Sequence, residues 1–342
     1  DKFTLSVGWG ADTPGSWMKG KYYLDIIFMD HLIKQEDFFI GKDFVEYVVL
    51  EDQRSATKRA ELSAAPVKKK DVEKTLSELD DLIGLDSVKN RIKEYSNYLE
   101  FISLRKDKGL NEEDQINLNC VFKGNPGTGK TTVARILTKI YKALGVLERG
   151  QMVETDRQGL VAGFVGQTAI KTAEQIDKAM GGVLFIDEAY ALTAKTGGAH
   201  GDFGDEAIQT ILKRMEDNRG EFFVFAAGYP DNMENFLKAN PGLNSRFDKT
   251  LKFEDYSPED LNNIAKMMLL DQEVNMTEAV SVHLAKYLAF MYEFRDKYFG
   301  NAREVRKVVV EAVKKMNLRL AEIPPEDRIK EEGMIITLED VK

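Results

Sequence analysis

The sequence is poor in the residues that staple secreted folds or build metal centres. It holds one cysteine, Cys120, and three scattered histidines, so it can close no internal disulfide and offers no zinc cluster. A reducing, cytoplasmic setting is the expectation. Long apolar runs are also missing: Phe222 to Ala227 is typical of the longest, far below the roughly 18 residues a membrane span needs. The opening DKFTLSVGWG has neither a basic stretch followed by an apolar block nor a starting Met. The expectation is therefore a chain without a signal peptide, cut back at its N-terminus. Basic excess is absent too. A net charge of -9 argues against general affinity for nucleic-acid phosphates. No internal repeat or low-complexity tract interrupts the chain.

What is present is ordinary globular composition, 43% hydrophobic and 31% charged, over 342 residues. That length exceeds one compact core and predicts two or three domains. Residues 1–52 are aromatic-rich and hold both tryptophans, Trp9 and Trp17, and the pair Phe38–Phe39. Phe3, Leu5, Val7 and Trp9 alternate like a half-buried strand, Thr13 to Ser16 reads as a turn, and Val45 to Leu50 as another strand. A small β-rich or α+β module is expected there. Residues 53–74 are polar, charged and small, which predicts a linker.

From 75 to 255 strands and helices alternate. Short apolar runs at Asn117–Lys123, Val183–Ile186 and Phe222–Ala226 predict strands buried on both faces. Thr131–Leu144 reads as a helix, and Ile170, Ala173, Ile176 and Met180 recur at helical spacing. The expected fold is a doubly wound α/β domain around a parallel sheet. Residues 256–342 predict a helical lobe. Ser257-Pro258-Glu259-Asp260 is a strong helix start, helices follow at 258–272, 277–295 and 302–322, and a short strand lies near Met334–Leu338.

Two motifs carry chemistry. Gly124-Asn125-Pro126-Gly127-Thr128-Gly129-Lys130-Thr131 matches GxxxxGK[ST] between a predicted strand and a predicted helix. Its glycines let backbone N–H groups converge on an anion at a helix N-terminus. Lys130 would reach the β- and γ-phosphates, and the Thr131 hydroxyl would bind Mg²⁺. Gly182-Val183-Leu184-Phe185-Ile186-Asp187-Glu188 ends an apolar strand in two carboxylates, at the sheet edge where open α/β sheets bind ligands. Asp187 suits the hydrated metal, and Glu188 suits the activation of water. The pair predicts ATP or GTP hydrolysis.

These motifs, with LIGLDSVKNRI, NPGLNSRF and GNAREVRK, make the stretch from about Leu79 to Arg319 resemble AAA+ ATPases of the CbbX/CfxQ branch. That branch includes red-type Rubisco activases and stage V sporulation protein K. The resemblance implies a P-loop NTPase fold with a parallel sheet, flanking helices and a helical lid, working with ATP and Mg²⁺. It puts nucleotide contacts at Leu82, Ile83, Asn125, Pro126, Gly127, Thr128, Gly129, Lys130, Thr131, Thr132 and Arg303, with Thr131 and Asp187 for the metal. Lys130, Glu188, Arg246 and Arg303 are the implied catalytic set. Arg246 matches the arginine finger offered to a neighbouring subunit, and Arg303 the sensor-2 arginine of the lid. Sensor 1 departs from the common Asn or Thr, since Ala226-Ala227-Gly228-Tyr229 stands there. Phe164 and Val165, between Gly163 and Gly166, match the pore loop, with Phe164 in the core as the alternative. Lys195–Asp205 would be a second mobile loop in which His200 is incidental.

The expected partners are identical subunits, six in a ring, and an unidentified client protein, with no membrane and no nucleic acid. The expected activity is protein remodelling by threading, of which Rubisco activation is one specific version. A nucleic-acid motor and a nucleotide-gated assembly scaffold are the alternatives.

Overall fold

The structure, a computed structural model, describes residues 20–28, 31–40, 69–107, 117–164, 166–193, 203–324 and 334–341. The strands expected at Phe3–Trp9 and Val45–Leu50, the turn at Thr13–Ser16, Val165 and most of the loop around His200 lie outside these residues. The chain divides into two units, 1–60 and 61–342. In the first, β1 (Gly20–Phe28) pairs antiparallel with β2 (His31–Ile40), with a register shift between Ile26 and Ile27. This hairpin was not among the strands the sequence predicted.

The second unit contains a five-stranded parallel sheet in the order β4 (Met152–Thr155), β5 (Val183–Ile186), β6 (Phe223–Gly228), β3 (Cys120–Gly124), β7 (Lys249–Phe253). Each central strand sends alternate side chains to opposite faces. Phe122, Phe185 and Phe225 enter one core with Leu137 and Tyr141 of the helix Lys130–Ala143. Val121, Leu184, Ile186, Val224 and Ala226 enter the other with Ile176 and Ile208. Burial on both faces is why these runs are continuously apolar.

Two expectations need correction. The stretch read as linker gives way to a helix, Lys69–Asp80, in which Val72, Leu76 and Leu79 pack into the first core. The flanking lysines masked that i, i+4, i+7 spacing. In the helix Gln167–Ala179, Ile170 is exposed, and the buried stripe is Thr168, Thr172, Ile176 and Ala179. The threonines go inside because each hydroxyl finds backbone: Thr172 donates to the Leu160 carbonyl, and Thr168 accepts from the Ala162 N–H.

The lobe after residue 256 packs the helices Pro258–Leu270, Glu278–Glu293 and Ala302–Ala321 around Leu261, Leu284, Leu288, Val309 and Met316. The first helix starts on a capping box: the Ser257 hydroxyl accepts from the Asp260 N–H while the Asp260 carboxylate accepts from the Ser257 N–H. β8 (Asn275–Met276) pairs parallel with β9 (Ile335–Ile336), the short strand expected there. No described helix is long and apolar enough to cross a membrane.

Cys120 is buried in β3, and burial pushes its thiol up to about 12. At neutral pH so little thiolate forms that thiol reagents should leave the native protein untouched. One equivalent should react after denaturation. Stoichiometric labelling of the native chain would contradict this burial.

Candidate functional site

The carboxyl ends of the parallel strands β3, β6 and β5 lie side by side, because Lys123 pairs with Gly228 and Ile186 with Ala226. Whatever follows each strand therefore gathers at one edge. β3 runs into the glycine-rich loop, β5 into Asp187–Glu188, and β6 into Tyr229. Together they line a cleft of about 570 Å³ with Leu82, Ile83, Pro126, Gly127, Gly129, Lys130, Thr131, Thr132 and Arg303. That volume suits a nucleotide-sized ligand.

The loop is shaped for an anion. Gly127 and Gly129 hold φ of 71° and 85°, in the left-handed region. At Gly127 the demand is also steric, since a Cβ would stand 2.2 Å from the Gly300 carbonyl oxygen. The helix Lys130–Ala143 starts at Gly129 without a side-chain cap, which leaves first-turn N–H groups for a ligand. Lys130 Nζ donates to the carbonyls of Gly124 and Asn125, at 2.8 and 2.7 Å. Burial pushes its ammonium down to about 8, Asp187 pulling it up and Arg303 pressing it down. Phosphate oxygens would stabilise that buried charge.

Thr128 and Asn125 do not line the cleft with their side chains. Thr128 is fully buried and its hydroxyl closes the loop on the Asn125 carbonyl at 2.8 Å, while Asn125 Nδ2 donates to Asp255 at 2.9 Å. Both support the loop from behind.

Glu188 holds φ of 48°, an uncommon value for a residue with a side chain, and it is exposed to the cleft. Its N–H donates to Asp187 Oδ1 at 3.0 Å, while the Asp187 N–H extends the sheet ladder to the Thr155 carbonyl at 2.8 Å. Asp187 is thus anchored and Glu188 turned outward. The Thr131 hydroxyl and Asp187 carboxylate are hard oxygen donors on one cleft. That fits Mg²⁺, which keeps waters and substrate phosphates in its shell and needs few protein ligands. No cluster of three metal-ligating side chains exists among the described residues.

The apolar end of the cleft is lined by Leu82, Ile83, Leu85, Ile264, Met267 and Met268. Sequence reasoning found the first two and missed the others, together with Tyr256 and Arg306, while Tyr229 of the sensor-1 stretch does line the cleft. The capped start at Ser257 held a signal for Ile264 and Met268, which fall four apart on one helix face. Arg306 lies one turn beyond Arg303.

Arg246 sits elsewhere. It lines a second cleft, of about 240 Å³, with Asn117, Asn119, Glu216, Arg219 and Phe222. These residues surround the starts of β3 and β6, whereas the larger cleft lies at their ends. A five-residue strand spans about 16 Å, more than an arginine side chain bridges. Arg246 Nη2 pairs with Glu216 at 2.8 Å, and the Glu216 carboxyl is held low by Arg219 first and Arg246 second. Phe164 is 72% exposed, which excludes the core alternative. Gly163 and Gly166 beside it have open space around them.

Residues 120–255 match the family described as ATPases associated with various cellular activities, and residues 257–342 match the AAA lid domain. Stage V sporulation protein K of Bacillus subtilis is 39% identical over 273 residues, 80% of this chain and 82% of that one. Protein CbbX of Cereibacter sphaeroides is 43% identical over 235 residues, 68% of this chain and 74% of that one. The solved AAA domain of FIGL-1 in complex with ADP shares the fold, with a TM-score of 0.50 at 17% identity, covering 76% of this chain and 80% of that one. The chain belongs to the AAA ATPase family, in the branch of CbbX, CfxQ and stage V sporulation protein K.

Proposed function

We propose that the protein is a Mg-ATP-hydrolysing motor that assembles as a ring, six subunits by resemblance, and draws a client polypeptide into a central pore. The observation that carries this reading is the separation of Arg246 from its own nucleotide cleft, which leaves the finger to serve a neighbour. Head-to-tail contacts of that kind build rings when the rotation between subunits closes.

Lys130 and the loop N–H groups bind the phosphates, and the Leu82–Leu85 segment with Ile264 and Met268 covers the base. Thr131 and Asp187 would hold Mg²⁺, which would supply positive charge against the phosphates. Glu188 takes the proton of the water that attacks the γ-phosphorus as the bond to the β-phosphate oxygen breaks, giving ADP and phosphate. The neighbour's Arg246, released from Glu216, meets the charge developing on the γ-phosphoryl oxygens. An exposed ion pair of that kind is weak enough to be exchanged. Arg303 carries the state of the site into the lid, and the angle between lid and sheet domain cycles. Phe164, an exposed aromatic on an open loop, grips an extended chain without reading its sequence.

The test is capture. Glu188→Gln subunits should retain ATP and hold the client when purified from native cells, and adding Phe164→Ala should release it. A protein enriched with the first and missing from the second names the client, Rubisco included. Equal recovery from both, or recovery of nucleic acid, would overturn threading in favour of a scaffold or a nucleic-acid motor.

A further inference from the structure

One carboxylate at the junction of the two domains ties the phosphate loop to the lid. Asp255 is the last residue of the AAA match and stands between β7 and the capping Ser257. Its Oδ1 accepts from Asn125 Nδ2 at 2.9 Å and from Asn301 Nδ2 at 2.8 Å, and its Oδ2 accepts from Arg295 Nε at 3.2 Å. Asn125 belongs to the phosphate loop, and Asn301 and Arg295 belong to the lid.

Asn301 is built into place. It is 0% exposed, and it takes a φ of 48° to start the helix Ala302–Ala321. Its Oδ1 accepts from the Tyr256 N–H at 2.9 Å and its Nδ2 also donates to the Phe299 carbonyl at 3.0 Å. The Ala302 N–H reaches the Gly127 carbonyl at 3.3 Å, so the loop touches the start of the helix that carries Arg303 and Arg306. Hydrogen bonds to a charged acceptor are shorter and stronger than neutral ones. Three of them converge here on one side chain, 17% exposed.

We propose that Asp255 is a positioning residue that makes the lid respond to phosphate in the loop. A ligand shifts a two-state equilibrium only through contacts that differ between the states. Anion binding reorders the loop backbone at Asn125–Gly127, Asn125 passes the change to Asp255, and Asp255 passes it to Asn301 and Arg295. Lys130 and Thr131 still bind nucleotide without this link, but the lid then follows only weakly. It does so through the long contacts of Ala302 N–H with the Gly127 carbonyl at 3.3 Å and of Asn301 Nδ2 with the Pro126 carbonyl at 3.4 Å. The inference rests on the lid cycle of the proposed mechanism.

The test uses the full chain with spin labels at Lys213→Cys and Lys314→Cys, both exposed. Buried Cys120 stays in place, and labelled subunits are diluted into unlabelled ones. Pulsed dipolar spectroscopy in a Glu188→Gln background then reads the label separation with and without Mg-ATP. The parent should shift on ATP addition. Asp255→Ala should bind ATP with most of that shift lost, and in the otherwise native chain it should lose at least about fivefold in kcat with a smaller change in KM. Asp255→Asn keeps an acceptor for both asparagines and should recover part of the shift, which a merely structural role would not produce. Should Asp255→Ala fail to fold, Arg295→Gln removes one arm and should reduce the shift. A full shift in Asp255→Ala, or in Arg295→Gln if that variant stands in, overturns this inference and leaves the lid cycle intact. A parent that does not respond to ATP overturns the lid cycle and the inference with it.

Discussion

Glu188→Gln is expected to lower ATP turnover by about 10²–10⁴-fold, the usual contribution of a general base, while nucleotide still binds. The expectation follows from how the turn after β5 divides its two acids. Asp187 is tied back by its own N–H and by that of Glu188, whereas Glu188, at a φ of 48°, faces the cleft. The amide of Gln has nearly the same shape but cannot take a proton from water. Single-turnover phosphate release, paired with equilibrium binding of a fluorescent ATP analogue, separates the two effects. Undiminished turnover would assign the base to another group, and lost binding would make Glu188 a ligand.

Arg246→Ala should cost about 10³–10⁵ in turnover, the range seen for arginine fingers, again with nucleotide retained. The loss is unusual because Arg246 lies at the opposite end of the strands from the cleft of its own subunit. Within the subunit it pairs with Glu216 and its carbonyl accepts from Asn117 Nδ2 at 2.7 Å. The substitution removes the pair with Glu216 and leaves the carbonyl contact in place, so the thermal midpoint should be recorded beside the rate. A slow enzyme with an unchanged midpoint supports a finger, and full activity would make Arg246 a structural residue.

Much of this was legible in the sequence because each motif is tied to one place in the fold. A phosphate loop must follow a strand and open a helix, and two acids after a buried run must stand at the carboxyl edge of the sheet. Leu82, Lys130, Asp187 and Arg303, far apart in sequence, therefore converge on one cleft. What stayed hidden is set by tertiary contact. Nothing local says that Thr168 and Thr172 turn inward while Ile170 turns out, since the decision belongs to the carbonyl of Leu160 and the N–H of Ala162. Lysines beside Val72 disguised a helix as a linker. Asn125 and Thr128 sit inside the motif, yet their side chains brace the loop from behind, and only the position of Asp255 reveals the purpose of the first. Phe164 could not be separated from a core residue by spacing, and its exposure decides that point.

The central claim is a nucleotide site completed by a second subunit. ATP turnover per subunit, measured across a dilution series of the native chain, tests it most directly. A shared site predicts that specific activity rises from near zero in dilute protein to a plateau as subunits assemble, with sedimentation reporting assembly over the same range. Constant specific activity down to concentrations at which only monomer remains would contradict it.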